Sequence, residues 1–132
     1  MLAAPASNDP IYQWVFNKVE QDWKVCRKQR GAPARAILVE EFFEEAPQKP
    51  KRFWLRDDKG LRQINSILHE TYKHHKLDDP NGDVMLFSFR IDKAHDLVVL
   101  REDQRNTSVG RQFHYEANGP NLVFKEEAVW TV

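Results

Sequence analysis

The spacing of apolar side chains changes once along this chain, and that change limits the fold more than any other feature. Tyr12, Phe16, Val19, Trp23 and Cys26 follow one another in steps of four or three residues, which places them on one face of a helix. From Val84 onward the period becomes two, as in strands that bury one face. The chain therefore has to pack a long helix against a sheet.

The first helix is predicted to begin at Asp9-Pro10 and to end near Arg30. Asp9 suits the N-cap, where its carboxylate accepts a backbone N–H. Pro10 suits the first helical position, because a missing N–H costs nothing there. Gly31 and Pro33 follow the last apolar positions and are typical of a helix stop.

The rest of the chain is predicted to contain one further helix and several strands. A second apolar stripe predicts a helix from about Gly60 to about His75. The predicted strands cover residues 34–43, 51–56, 84–91, 97–101, 111–116 and 121–125, with a last edge strand at 128–132. Short connections favour antiparallel pairing. The predicted fold is α+β, with a mostly antiparallel sheet of about five to seven strands, two helices packed on one face, and the order α-β-β-α-β-β-β-β.

The length and composition predict one domain in a reducing compartment. The chain has 132 residues, an ordinary size for a single domain, so we expect an α+β domain over residues 9–132 after a frayed N-terminus at residues 1–8. Cys26 is the only cysteine, which excludes an internal disulfide. The first residues lack the basic segment of a secretion signal, and the sequence has no long apolar run. These features favour a cytoplasmic protein with no membrane contact.

The charge balance weakens a role in nucleic-acid binding. The chain carries 20 basic and 20 acidic residues and no formal net charge, whereas nucleic-acid binders are usually basic. One basic cluster without intervening acids does occur, and it consists of Lys24, Arg27, Lys28, Arg30 and Arg35. A run of glutamates follows it closely and would repel a phosphate backbone. The cluster is interpreted as a helix end whose cations match the helix dipole.

No pattern of catalytic or metal-ligating residues stands out. His69, His74 and His75 are five and six residues apart, whereas a helical metal site needs spacings of three or four. We therefore predict no metal and no cofactor. His95 and His114 remain candidates for a general base, so an enzyme using one of them is kept as an alternative function.

By elimination, the sequence favours a protein-binding module. The order of a long helix, a strand pair, a second helix and further strands is similar to the layout of small bacterial immunity proteins and of secretion chaperones. This resemblance in layout implies an inhibitor, immunity protein or chaperone that occludes a partner protein. The predicted partner-binding residues are acidic, with one aromatic anchor: Glu40, Glu41, Glu44, Glu45 and Trp54. A C-terminal edge strand would also allow pairing with a second copy.

A second alternative is a small-ligand-binding domain with an apolar pocket under the sheet. A curved sheet with a helix across it can enclose such a pocket. The aromatic residues that could line it are Phe42, Phe53, Phe87, Phe89, Tyr115 and Phe124. The same residues could instead fill a close-packed core.

Overall fold

The computed structural model describes residues 9–30, 35–41, 52–64, 84–103 and 108–131, with the side chain of Arg30 left out. These residues form one helix and seven strands. The elements are α1 (Pro10–Arg30), β1 (Arg35–Glu40), β2 (Arg52–Asp57), β3 (Gly60–Ile64), β4 (Val84–Asp92), β5 (Leu97–Asp103), β6 (Ser108–Asn118) and β7 (Asn121–Thr131).

The seven described strands form one sheet in the order β3-β2-β1-β4-β5-β6-β7. Every neighbouring pair is antiparallel except β1 and β4, which run parallel at the centre of the sheet. A parallel pair cannot be joined by a tight turn and needs a long crossover, and the chain between these two strands includes β2 and β3. The α+β class and the mostly antiparallel sheet are thus confirmed.

Helix α1 begins where the sequence predicts. Asp9 Oδ1 accepts a hydrogen bond from the backbone N–H of Ile11 at 2.9 Å, and the carbonyl of Asp9 accepts the first helical bond from Gln13 at 3.0 Å. Val15, Val19 and Trp23 lie one turn apart and are buried. This face of α1 packs on one face of the sheet and forms the larger apolar core.

Both faces of β1 are buried, as its unbroken apolar run indicates. Ala36 and Leu38 belong to the core under α1. Ile37 and Val39 point to the opposite face and form a second apolar cluster with residues of β4. Because adjacent side chains of a strand point to opposite faces, a run of this kind suits only a strand with cover on both sides.

The predicted start of a second helix near Gly60 is wrong. Residues Gly60–Ile64 form β3, which pairs antiparallel with β2. The intervening turn explains the difference, because Asp57 Oδ1 accepts the backbone N–H of Lys59 at 2.9 Å and Gly60 has a φ of +110° that returns the chain as a hairpin. The rest of that predicted helix, to His75, and the predicted frayed residues 1–8 lie outside the described residues.

The four C-terminal strands pair antiparallel in chain order, and their predicted bounds need one correction. Residues 121–125 and 128–132 were expected to form two strands, but β7 is continuous from Asn121 to Thr131. A β-bulge absorbs the extra residue. Gln112 pairs with Ala128 and Phe113 pairs with Glu126, so Glu127 has no opposite residue on β6.

Within the described residues, α1 is the one helix long enough to compare with a membrane span, and it is too polar to be one.

Candidate functional site

Strand β7 offers an uncovered backbone edge. It is the last strand of the sheet and pairs only with β6 among the described strands. Residues 125–129 are exposed, and Val129 keeps 56% of its surface in contact with solvent. An edge of this length carries a row of unpaired N–H and C=O groups that another strand can bind.

The turn before β7 determines which of its backbone groups point outward. Asn118 and Asn121 pair across the two-residue turn Gly119-Pro120, and Gly119 has a φ of +63°, as a type II′ turn requires. A two-residue hairpin closes on a hydrogen-bonded pair, and the pairs then alternate along the ladder. The backbone groups of Leu122 and Phe124 therefore point away from β6.

The inner side of β7 is firmly attached to the molecule. The rings of Phe124 and Trp14 of α1 are stacked with centroids 4.2 Å apart, and Trp14 meets Phe113 edge-on at 4.6 Å. Arg111 Nη2 donates to Glu126 at 2.6 Å. These contacts hold β7 in a defined position beside α1 and β6.

Trp130 attaches the end of β7 to the sheet face opposite α1. It lies opposite Gly110, and a Cβ at that position would overlap its indole ring. Across the neighbouring strands, Gly110 pairs with Arg101 of β5, and Arg101 pairs with Ser88 of β4. With Glu41, whose N–H donates to the carbonyl of Phe89 at 2.8 Å, these residues line an open groove of about 230 Å³.

Glu40, the first predicted partner-binding residue, is buried. Its side chain is only 3% exposed, and Arg52 Nε donates to Glu40 Oε1 at 2.5 Å. Tyr12 donates its hydroxyl to the other carboxylate oxygen, and Arg52 Nη2 also donates to that hydroxyl at 2.7 Å. Glu40 therefore joins α1, β1 and β2 inside the protein.

Trp54 is also buried, because it lies in β2 with its side chain towards α1. Its exposure is 0%, and it packs on Phe16 and Phe89. A partner cannot reach either Glu40 or Trp54 without rearrangement, while Glu44 and Glu45 lie outside the described residues. Among the described residues of the predicted partner-binding set, Glu41 alone is accessible to a partner. Its role stays a prediction.

The two candidate general bases have different surroundings. His95 is exposed in the turn between β4 and β5, and its Nδ1 lies 2.7 Å from Asp92 Oδ2. The same carboxylate group accepts the backbone N–H of His95 at 3.3 Å, so the pair stabilises the turn. His114 is half-buried in β6, opposite Leu97 and Lys125. The structure thus pairs one histidine with a carboxylate on a convex turn, and the enzymatic alternative stays a prediction.

The aromatic residues of the predicted apolar pocket are dispersed. Phe87, Phe89 and Tyr115 fill the core under α1, and Phe124 packs against Trp14. Phe53 packs on the second apolar cluster, which lies on the other face of the sheet, and Phe42 lies outside the described residues. The described members of this set thus occupy two different layers and do not line one common space.

Metal chemistry has no support in the part of the chain that the structure describes. No group of three or more histidine, cysteine, aspartate or glutamate side chains there could hold an ion. His69, His74 and His75 lie outside that part. Cys26 is half-buried on α1 and packs against the core.

The sequence patterns do not predict the groove at Trp130, although one signal is present. A glycine inside a strand often marks the close approach of another group, and Gly110 lies within β6. Which side chain approaches Gly110 depends on the register of β6 and β7, and that register includes a bulge. The local pattern alone does not show it.

Comparison of the chain with protein-family models, with curated proteins and with solved structures found no match.

Proposed function

We propose that this protein is a protein-binding module that takes up an extended segment of a partner protein along the free edge of β7. The observation that carries the proposal is the edge itself. Eleven residues form β7, its side towards solvent has no described neighbour, and its second half is exposed.

Strand addition needs a rigid edge with free backbone groups and few charges in the path of the incoming strand. Main-chain hydrogen bonds then provide affinity, and side-chain contacts provide specificity. The segment Ala128–Val129 meets these conditions, because both residues are exposed and uncharged. The bulge at Glu127 separates it from Lys125 and Glu126, so the incoming strand would pair on the C-terminal side of the bulge.

In this proposal the protein acts by occlusion. A partner segment held along β7 is unavailable for its own contacts, as expected of an inhibitor, an immunity protein or a secretion chaperone. The groove with Glu41 and Trp130 lies on the sheet face next to this edge and would contact the parts of the partner that flank the added strand. Glu41 offers a negative charge there, and Arg90 and Arg101 offer positive charges.

A pair of proline variants tests the proposal. Adjacent N–H groups of a strand point to opposite sides. One of the two residues Ala128 and Val129 therefore donates its N–H to β6, and the other points its N–H to solvent. A proline at either position removes the N–H of that residue. We expect one of Ala128→Pro and Val129→Pro to lower stability by about 1 to 3 kcal/mol, because an acceptor on β6 loses its partner, and the other to fold normally and lose the partner protein.

The measurement is a tagged pull-down from the native host, read by mass spectrometry, with wild type and both variants side by side. A protein captured by wild type and lost with the well-folded variant supports the proposal, and its affinity is then measured with purified components. A Val129→Thr variant, which keeps the N–H and the β-branched shape, serves as the matched control. Equal capture of the partner by wild type and by the folded proline variant contradicts strand addition.

A further inference from the structure

A second open groove lies far from β7 in the sheet order, between the last turns of α1 and the β2–β3 turn. Its volume is about 350 Å³, and it is lined by Trp23, Lys24, Arg27, Lys28, Arg56 and Asp58. Four of these six residues are cations and one is an acid. Cations therefore outnumber acids among the residues that line this concave surface.

The floor of the groove is rigid. Trp23 is 2% exposed, and two guanidinium groups lie over its ring, with the Cζ of Arg56 at 4.3 Å and that of Arg27 at 5.0 Å from the ring centroid. A guanidinium stacked on an indole keeps its N–H edges free for hydrogen bonds. The stacking thus orients both arginines before any ligand arrives.

Arg56 forms one wall and is occupied by protein groups. Its Nε and Nη2 donate to the two oxygens of Glu20 at 2.5 and 2.7 Å, and its Nη1 donates to the carbonyl of Asp57. This hydrogen bonding to Arg56 is the largest cause of a lowered pKa at Glu20. Arg56 therefore contributes positive charge and one wall of the groove, while its N–H groups donate to Glu20 and Asp57.

The cations of α1 face the opening. Lys24 and Lys28 are exposed and lie one helical turn apart. The Nζ of Lys24 lies 3.3 Å from Glu20 Oε1, and the Lys24 side chain is 64% exposed. Arg27 Nη1 binds Asp58 Oδ1 at 2.7 Å, and the Asp58 side chain is 77% exposed. A carboxylate that solvent surrounds to this extent is held weakly, so it can leave Arg27 for water.

Matching of the helix dipole does not by itself explain this arrangement. Cations near a helix C-terminus are favourable, which accounts for Lys24, Arg27 and Lys28. Arg56 comes from β2, and its stacking on Trp23 has no connection with the dipole of α1. The position of Asp58 shows that a negatively charged oxygen already occupies the groove at Arg27.

We propose that this groove binds a phosphate group, either as the free ion or as a phosphate monoester, with Arg27, Lys24 and Lys28 as its ligands. In this arrangement the Asp58 carboxylate is an internal competitor that the phosphate displaces from Arg27. Arginine binds phosphate through paired N–H donors and lysine as a point charge. The proposal goes beyond strand addition at β7 and is independent of it.

The test is a titration of the full chain with sodium phosphate, followed by backbone amide chemical shifts, with sodium chloride at matched ionic strength as the reference. We expect saturable shifts at the amides of Lys24, Arg27 and Lys28. Arg27→Gln should weaken binding about tenfold, the value of one charge-assisted hydrogen bond. Lys93→Gln, which removes an exposed cation from the β4–β5 turn, is the control and should leave the affinity unchanged.

The opposite sign is expected at Asp58. Asp58→Asn removes the competitor and should tighten phosphate binding. Glu116→Gln changes the net charge by the same amount at an exposed position of β6, far from the groove, and should leave phosphate binding unchanged. Phenyl phosphate distinguishes the two sources: tighter binding than phosphate assigns a monoester, and equal binding assigns the free ion. The proposal is overturned if phosphate and chloride give the same shifts, or if each groove variant and its control change the affinity equally. Thermal unfolding of every variant shows whether a loss of binding reflects a loss of fold.

Discussion

Glu40 shows how a carboxyl group can be buried with both of its oxygens hydrogen-bonded. Both of its carboxylate oxygens accept hydrogen bonds, from Arg52 and from Tyr12, and the guanidinium of Arg52 lies 5.2 Å from the centre of the Tyr12 ring. Burial, and next the hydrogen bond to Glu40, raise the pKa of the Tyr12 hydroxyl above its ordinary value. The raised pKa keeps the Tyr12 hydroxyl protonated at neutral pH, where it can donate to Glu40.

Replacing Arg52 by methionine should destabilise the protein more than the loss of a surface ion pair would. The substitution keeps most of the side-chain volume but leaves the carboxylate of Glu40 buried without its cation, so we expect a loss of about 3 kcal/mol in the free energy of unfolding. Urea unfolding monitored by tryptophan fluorescence measures it.

The matched control for that variant is Arg101→Met, since Arg101 is an exposed arginine of β5. Its effect should stay within about 0.5 kcal/mol. The double variant Glu40→Gln with Arg52→Met should recover part of the loss, because no unpaired charge remains inside. If Arg52→Met and Arg101→Met cost the same, the Glu40 network does not stabilise the fold.

At the scale of an element, the β2–β3 hairpin depends on Asp57. Arg62 binds both of its carboxylate oxygens, at 2.8 and 2.9 Å, and the N–H of Lys59 donates to the same group. Hydrogen bonding from Arg62 lowers the pKa of Asp57 to about 2. The carboxylate thus closes a turn in the position where the apolar pattern predicts a helix.

This pKa predicts an acid-dependent loss of stability. A carboxyl whose pKa is lower in the folded state contributes stability above its unfolded value, about 3.9. That contribution is lost as the pH falls through the folded value of about 2. In Asp57→Asn the free energy of unfolding should therefore depend less steeply on pH between these two values. Thermal or urea unfolding across a pH series provides the comparison.

Asp58→Asn is the control for that series, because it removes the neighbouring and far more exposed carboxylate. Two other carboxyls of α1 contribute in both variants: the pKa of Glu20 is lowered by Arg56, and the pKa of Asp22 is raised by burial. They cancel when each variant is compared with wild type. Identical pH profiles for wild type and Asp57→Asn would show that Asp57 has no such role.

At the scale of the whole molecule, stability should decrease from the centre of the sheet to its edges. β1 and β4 have neighbours on both sides and apolar side chains on both faces. We expect their backbone amides to exchange with solvent most slowly, and those of β3 and β7 most rapidly among the described strands. Hydrogen exchange followed by NMR measures this at single residues.

The same experiment checks the free edge of β7. The amides of Val123 and Lys125 should be protected because they bond to β6, while those of Leu122 and Phe124 should exchange faster. Protection of Leu122 and Phe124 at high protein concentration, but not in dilute solution, would instead indicate pairing of two copies through β7. Uniform protection at every dilution would mean that the edge is covered within one chain.

The elements with local signals could be predicted from the sequence. The helix of residues 10–30 follows from a period, an N-cap and a stop, and the four C-terminal strands follow from a period of two and from turn residues. The failure at Gly60 is also local in origin. Leu61 and Ile64 are three residues apart and fit a helix, but the Asp57 turn and the pairing with β2 outweigh that weak preference.

Which side chains meet depends on tertiary packing, because the partners are distant in sequence. Tyr12 and Glu40 are 28 residues apart, and Glu20 and Arg56 are 36 apart. The sequence presented Glu40 and Trp54 as surface candidates, yet Tyr12 and Arg52 enclose Glu40, and Trp54 packs under α1. Conversely, β7 is exposed because it is last in the strand order. Strand order and register arise from packing across the whole molecule, and no short segment contains them.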